Sequence, residues 1–194
     1  FIYLNATHLE LKKNHVLTID YPYSSEQLCA LISTYICKIK EWDEQMNLAI
    51  IGGDDAQKLL DLSEMHLKNP CVLLDSTFCC IAISSSITDE DLLYYDIKMH
   101  GIPSPETILT LSRHSKNRQF TFGNFESGLD YRIAKGPVHY PEIYVDIKVD
   151  DSIILALNMR FSRTPMTPGL LKTIGIFTDK LQSLYTLKQY KEIN

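Results

Sequence analysis

Apolar positions recur along this chain with two periods, and the helical one dominates at both ends. Leu28, Ile32, Tyr35, Ile39, Trp42, Met46 and Ala49 follow a 4-3-4-3-4-3 spacing, which keeps one stripe on a helix through three heptads. Ser24 or Ser25 supplies its N-cap, Glu26 sits in the first turn, and Gly52-Gly53 stops it. Such a stripe serves either a helix packed on its own domain or a dimerisation and relay helix. Thr167-Pro168 opens a terminal helix with the same seam, through Leu170, Ile174, Phe177, Leu181 and Leu184. It runs polar towards Asn194, as a helix leading into another domain would.

Between these helices the period changes. Asp54 or Asp55 caps a helix marked by Leu59, Leu60, Ser63 and Leu67, which Asn69-Pro70 breaks. The runs Cys71–Leu74 and Phe78–Ile83 flank Asp75-Ser76-Thr77 and predict a β-hairpin. Its near-continuous apolarity predicts a strand covered on both faces. Thr88–Asp91 resembles a cap before a helix that Gly101 ends, and Ser104-Pro105-Glu106 opens another that ends by His114. Residues 115–130 read as a long loop with at most one strand. Tyr131–Ala134, Tyr144–Val149 and Ile153–Leu157 predict a meander, with Val145, Ile147 and Val149 alternating against Tyr144, Asp146 and Lys148. Ahead of all this, Ile2 and Leu4, then Val16–Ile19, predict a short β appendage around a polar stretch from His8 to Asn14. The expected organisation is an appendage plus the start of the long helix over residues 1–40, and a second domain over 41–194. Sequential pairing gives an α+β fold with one antiparallel sheet of about five strands flanked by long helices.

Composition narrows the classes. With 194 residues, 45% hydrophobic and 22% charged, the chain can bury a core without staples. Its 19 basic residues against 24 acidic ones give −5, so nucleic acid is not expected on this piece; Lys38, Lys40, Arg160 and Arg163 read as solvated surface. No run is long and apolar enough for a membrane span, and the start lacks the basic and apolar regions of a signal peptide. The odd set of cysteines (Cys29, Cys37, Cys71, Cys79, Cys80) reads as reduced and cytoplasmic. Without an initiator methionine, the chain is expected to be a piece of a longer protein.

The chemistry-bearing residues do not cluster by spacing. His8, His15, His66, His100, His114 and His139 offer no pair at helical ligand spacing, and Cys79-Cys80 point to opposite sides of a strand. No metal and no cofactor is expected. There is no nucleophile elbow or phosphate loop, and the acidic groups Asp54-Asp55, Asp89–Asp91 and Asp150-Asp151 are explained as caps and a turn. No catalytic residue is therefore assigned.

The segment Leu67-Lys68-Asn69-Pro70-Cys71-Val72-Leu73-Leu74-Asp75 resembles the Asn-Pro-apolar-apolar-apolar-Asp stretch in the sensory regions of PucR/CdaR-type bacterial transcription regulators. The likeness extends over roughly residues 42–190, through Ile81-Ala82-Ile83-Ser84, Gly101-Ile102-Pro103 and the helix after Thr167-Pro168. Relatives often carry a glycine before the last strand, where this chain has Asp151-Ser152-Ile153. The resemblance implies a GAF/PAS-like fold, a small-molecule effector, a homodimer, and DNA contact only through a C-terminal helix-turn-helix beyond Asn194. A pocket would then lie between the sheet and the helices of residues 88–114, with Tyr94, Tyr95, His100, Arg132, Tyr144 and Asn158 as candidates. An arginine there would suit a carboxylate ligand. The competing expectation is a constitutive homodimerisation module whose pocket is filled by its own side chains.

Overall fold

The computed structural model describes residues 2–3, 17–18, 24–89, 91–105, 119–124, 130–135, 140–150 and 152–193. The chain divides into two units, residues 1–44 and 45–194. In the first, β1 (Ile2–Tyr3) pairs in parallel with β2 (Leu17–Thr18), and α1 (Ser25–Gly52) begins. The stretch from His8 to Asn14 lies outside the described residues. The helix starts on a reciprocal cap. Gln27 N–H donates to Ser24 Oγ at 3.2 Å while Ser24 N–H donates to Gln27 Oε1 at 2.9 Å, so two backbone donors at the helix start find partners. Along this part of α1, Leu28 and Trp42 are buried, Ile32 and Ile39 are half-buried, and Tyr35 is exposed.

The second unit opens with the last turns of α1, where Met46, Ala49 and Ile50 are buried. Asp55 caps α2 (Ala56–Leu67) by accepting from Lys58 N–H at 2.9 Å. That helix ends with Lys68 in the left-handed region at φ 58.

Six strands follow: β3 (Cys71–Asp75), β4 (Cys80–Ile83), β5 (Gln119–Asn124), β6 (Asp130–Lys135), β7 (Glu142–Val149) and β8 (Ser152–Arg160). They form one antiparallel sheet in the order β4-β3-β8-β7-β6-β5. Two expectations are corrected here. The sheet has six strands rather than about five, because Phe120-Thr121-Phe122 gives a strand inside the predicted loop. The pairing is also not sequential throughout, since the β3–β4 hairpin lies beside β8, the last strand. β3 is buried from Cys71 to Leu74 and β8 alternates Leu155, Leu157 and Met159 into the core. Placing these two apolar strands centrally covers both faces of β3.

The Asn-Pro…Asp segment frames that hairpin. Asn69 is 4% exposed and its side chain binds three backbone groups: Nδ2 donates to Thr164 O, and Oδ1 accepts from Arg163 N–H and Thr164 N–H, all at 3.0 Å. The segment after β8 is thereby tied to the start of β3. At the other end, Asp75 Oδ1 accepts from Thr77 N–H, Thr77 Oγ–H and Cys79 N–H at 2.7–2.9 Å and holds the turn. The β7–β8 turn needs no glycine because Asp150 takes the left-handed position at φ 49.

α3 (Leu92–His100) ends at Gly101, φ 74, as expected. Of the next predicted helix, residues 106–114 lie outside the described residues, as do 115–118 and 125–129 of the long loop. Finally α4 (Pro168–Ile193) lies against β7 and α2, and α2 lies against β4. The exposed edge of β4 is occupied. Gln57 mimics a neighbouring strand, accepting from Ile83 N–H at 2.9 Å and donating to Ile83 O at 3.0 Å, and Cys80 N–H donates to Gly101 O.

The seam expected on the terminal helix, as on α1, for dimerisation or relay faces inward on α4. Leu170, Ile174, Phe177, Leu181 and Leu184 are all buried within the chain. Its 4-3 spacing records packing on the domain's own helices and sheet. Met46 is likewise internal, its sulfur 3.5 Å from the Ser63 hydroxyl oxygen.

Candidate functional site

Strand alternation gives the two faces of the sheet different chemistry. One face collects Ile143, Val145, Ile147, Val149, Leu155, Leu157 and Met159, all buried. The other carries Glu142 and Tyr144 on β7 and Asn158 and Arg160 on β8. The register sets Glu142 opposite Arg160 and Tyr144 opposite Asn158. The same transverse row continues to Arg132 on β6 and to Val72 on β3. Tyr94 and Ile97 of α3 pack on Val72 and Leu74 with Ile87, flanked by Cys80 and Ile83. Thus α3 covers the apolar end of this mixed face.

The charged centre is a buried carboxylate paired with a half-buried guanidinium. Glu142 is 1% exposed, and Arg160 donates to its Oε1 through Nε at 3.0 Å and Nη2 at 2.7 Å. Tyr144 O–H donates to Glu142 Oε2 at 2.6 Å. A buried carboxylate is tolerated only with such donors around it. The guanidinium also stacks over the Tyr94 ring, 4.9 Å from its centroid, a contact worth about 1–2 kcal/mol when desolvated. Reading Arg160 as solvated surface is therefore corrected. Its alternation phase, shared with Asn158, placed it on this face, but only the cross-strand register supplied its carboxylate.

Two polar atoms at this face are unsatisfied. Tyr94 Oη and Asn158 Oδ1 are buried without a hydrogen-bond partner among the described residues. Tyr94 is 2% exposed, and a buried hydroxyl in that state costs about 1–3 kcal/mol. Its phenol is held well above the ordinary range, first by burial and then by the nearby Glu142 and Tyr144, with Arg160 opposing. It is therefore a neutral donor and acceptor near neutral pH. Across the sheet, burial pushes the Cys71 thiol up to about 12 despite a contact with Ser84 Oγ at 3.4 Å. Neither group is an ionised nucleophile near neutral pH.

Of the six candidates, Tyr94, Tyr144 and Asn158 come together here. Arg132 is in register with Tyr144, while its side chain lies outside what is described. Tyr95 and His100 do not join them. Tyr95 is exposed, and His100 is exposed beside Asp96, with Nδ1 3.2 Å from the carboxylate. Both belong to the outer side of α3. Glu142 was missed because a lone glutamate at the start of a strand reads as solvent-facing. A hollow on α4, bordered by Asp179, Gln182, Ser183, Thr186 and Leu187, draws this lining from one helix and lacks such a convergent set.

Among the described residues no group of three or more His, Cys, Asp or Glu could hold a metal ion. No described helix is long and apolar enough to cross a membrane. No protein-family model matches the chain, and the search of curated proteins finds no match.

Proposed function

We propose that the chain is a non-catalytic, ligand-sensing input region of a cytoplasmic bacterial transcription regulator of the PucR/CdaR type, with a GAF/PAS-like sensory domain. The observation that carries ligand binding is the pair of buried, unsatisfied atoms, Tyr94 Oη and Asn158 Oδ1, beside the Glu142–Arg160 pair. A fold does not leave buried polar groups unpaired without cost, and a bound molecule supplying their partners offsets it. Support for the fold comes from the antiparallel sheet, its N-terminal hairpin set beside the last strand, and helices on its faces. Effector binding biases the arrangement of a homodimer, and α4 carries that bias towards a DNA-binding part beyond Asn194. Only an effector with different affinities for the two arrangements can do this.

The test is thermal unfolding of the chain against purines, sugar acids, amino acids and small carboxylates. At 100 times its dissociation constant a ligand adds about 2.7 kcal/mol. A saturable rise that Tyr94→Phe diminishes supports the proposal. A flat response to every class refutes the sensing part and favours the second reading, a constitutive homodimerisation module. That reading has its own observation: Leu31, Tyr35 and Ile36 of α1 are 44%, 59% and 51% exposed. Sedimentation of Leu31→Glu/Tyr35→Glu then decides it, because a dimer built on α1 dissociates.

A further inference from the structure

We infer that the mixed face of the sheet takes an uncharged ligand presenting an N–H donor beside a carbonyl, as an amide or lactam does. The inference rests on the sensing reading and specifies its ligand. Asn158 Oδ1 can only accept, so the ligand must bring a donor to it. Tyr94 O–H can donate, and a carbonyl is its natural partner. Arg160 adds further donors on the same side. Its Nε and one Nη2 proton are spent on Glu142, and its remaining N–H groups have no partner among the described residues.

Charge selects against ionic ligands. Glu142 cancels Arg160 at 2.7 Å, and Asp91, itself largely buried, is close enough to act on the same guanidinium. A carboxylate ligand would enter beside two carboxylates, and one of the pair would be driven to protonate. An ammonium ligand would meet the guanidinium, a like charge on the same side. A neutral amide meets neither penalty, and it carries one group of the kind each orphan atom requires, an N–H for Asn158 Oδ1 and a C=O for Tyr94 O–H. The Tyr94 and Tyr144 rings border the same row and suit a flat ligand.

The experiment is an NMR titration of the full chain with three probes of one shape: benzamide, benzoate and benzamidine. Benzamide is expected to bind about ten-fold tighter than either ion and to move the Asn158 side-chain amide signal, one such factor corresponding to one good hydrogen bond. Tyr94→Phe and Asn158→Leu are each expected to weaken benzamide about five-fold or more, with melting temperatures no lower than that of the parent. Equal or tighter binding of benzoate or benzamidine overturns the neutral-ligand inference and leaves the sensing reading standing. Benzamide binding that ignores both substitutions overturns the site. Binding of none of the three up to their solubility overturns the inference, and the thermal-unfolding panel then decides the sensing reading separately.

Discussion

The two faces of the central sheet use the same strands for opposite purposes. On the face towards α4, Ile143, Val145, Ile147, Leu155, Leu157 and Met159 are each at most 3% exposed, and the residues are interchangeable in kind. On the face towards α3, Val72 and Leu74 pack with Tyr94 and Ile97, but the row then turns to Asn158, Tyr144, Arg160 and Glu142. The first face is satisfied by any close-packed apolar set. The second carries a buried ion pair and two orphan atoms, and replacing such groups with apolar residues is often neutral or stabilising. Under the proposed function, a bound ligand offsets that cost. The difference between faces is what separates scaffold from site.

The comparison can be broken first at its apolar side. Leu157→Ala empties a fully buried position and is expected to cost about 4 kcal/mol, read by chemical denaturation. If the α4-facing layer were loosely packed, the loss would be far smaller. On the mixed face, Glu142→Gln strips the guanidinium of its charged partner and is expected to cost about 3 kcal/mol. The double variant Glu142→Leu/Arg160→Met should recover most of that loss. A double variant as unstable as the single one would make the pair a structural keystone and remove the contrast between faces.

Alkaline titration sharpens the same contrast. The Cys71 thiol, on the apolar face, is held at about 12 against an ordinary value of 9.0 by burial. Its folded value lies above the unfolded one, so the unfolded thiol ionises first and stability falls as pH rises from 9.0 towards 12. Cys71→Ala should make that part of the stability–pH curve shallower, with the Tyr94 phenol still contributing above 10.0, and an unchanged slope would contradict the burial of the thiol. Least in size is Tyr94→Phe. Removing an unsatisfied hydroxyl is expected to leave stability unchanged or raise it by about 1 kcal/mol in the absence of ligand. A clear loss instead would mean the hydroxyl has a partner within the fold.

The helix starts were legible to within a residue because capping is local chemistry: of the pairs Ser24/Ser25 and Asp54/Asp55, Ser24 and Asp55 form the caps, and Gly101 ends α3. Strand alternation in β7 was equally readable, since a period of two needs no partner to be seen. The candidate site was legible in part. Tyr144 and Asn158 could be placed opposite an apolar stripe, but their meeting depends on register across β7 and β8. Glu142 and Arg160 lie eighteen residues apart and their pairing has no local signature. The direction of the α4 seam was not legible for a related reason, because a 4-3 spacing is the same whether the stripe faces its own sheet or a second chain.

By itself, then, the amino-acid order determined what short-range physics can determine: where helices begin and stop, which strand residues share a side, and that no motif of known catalytic spacing is present. The tertiary structure alone decided that the hairpin sits beside β8, that Arg160 is held half-buried against Glu142, and that Tyr94 Oη and Asn158 Oδ1 are left without partners among the described residues. Caps and alternation act over a few residues, so the chain states them directly. Burial and pairing are made between segments as much as 95 residues apart, as when Asn69 holds Thr164, and they exist only once the sheet has brought those segments together.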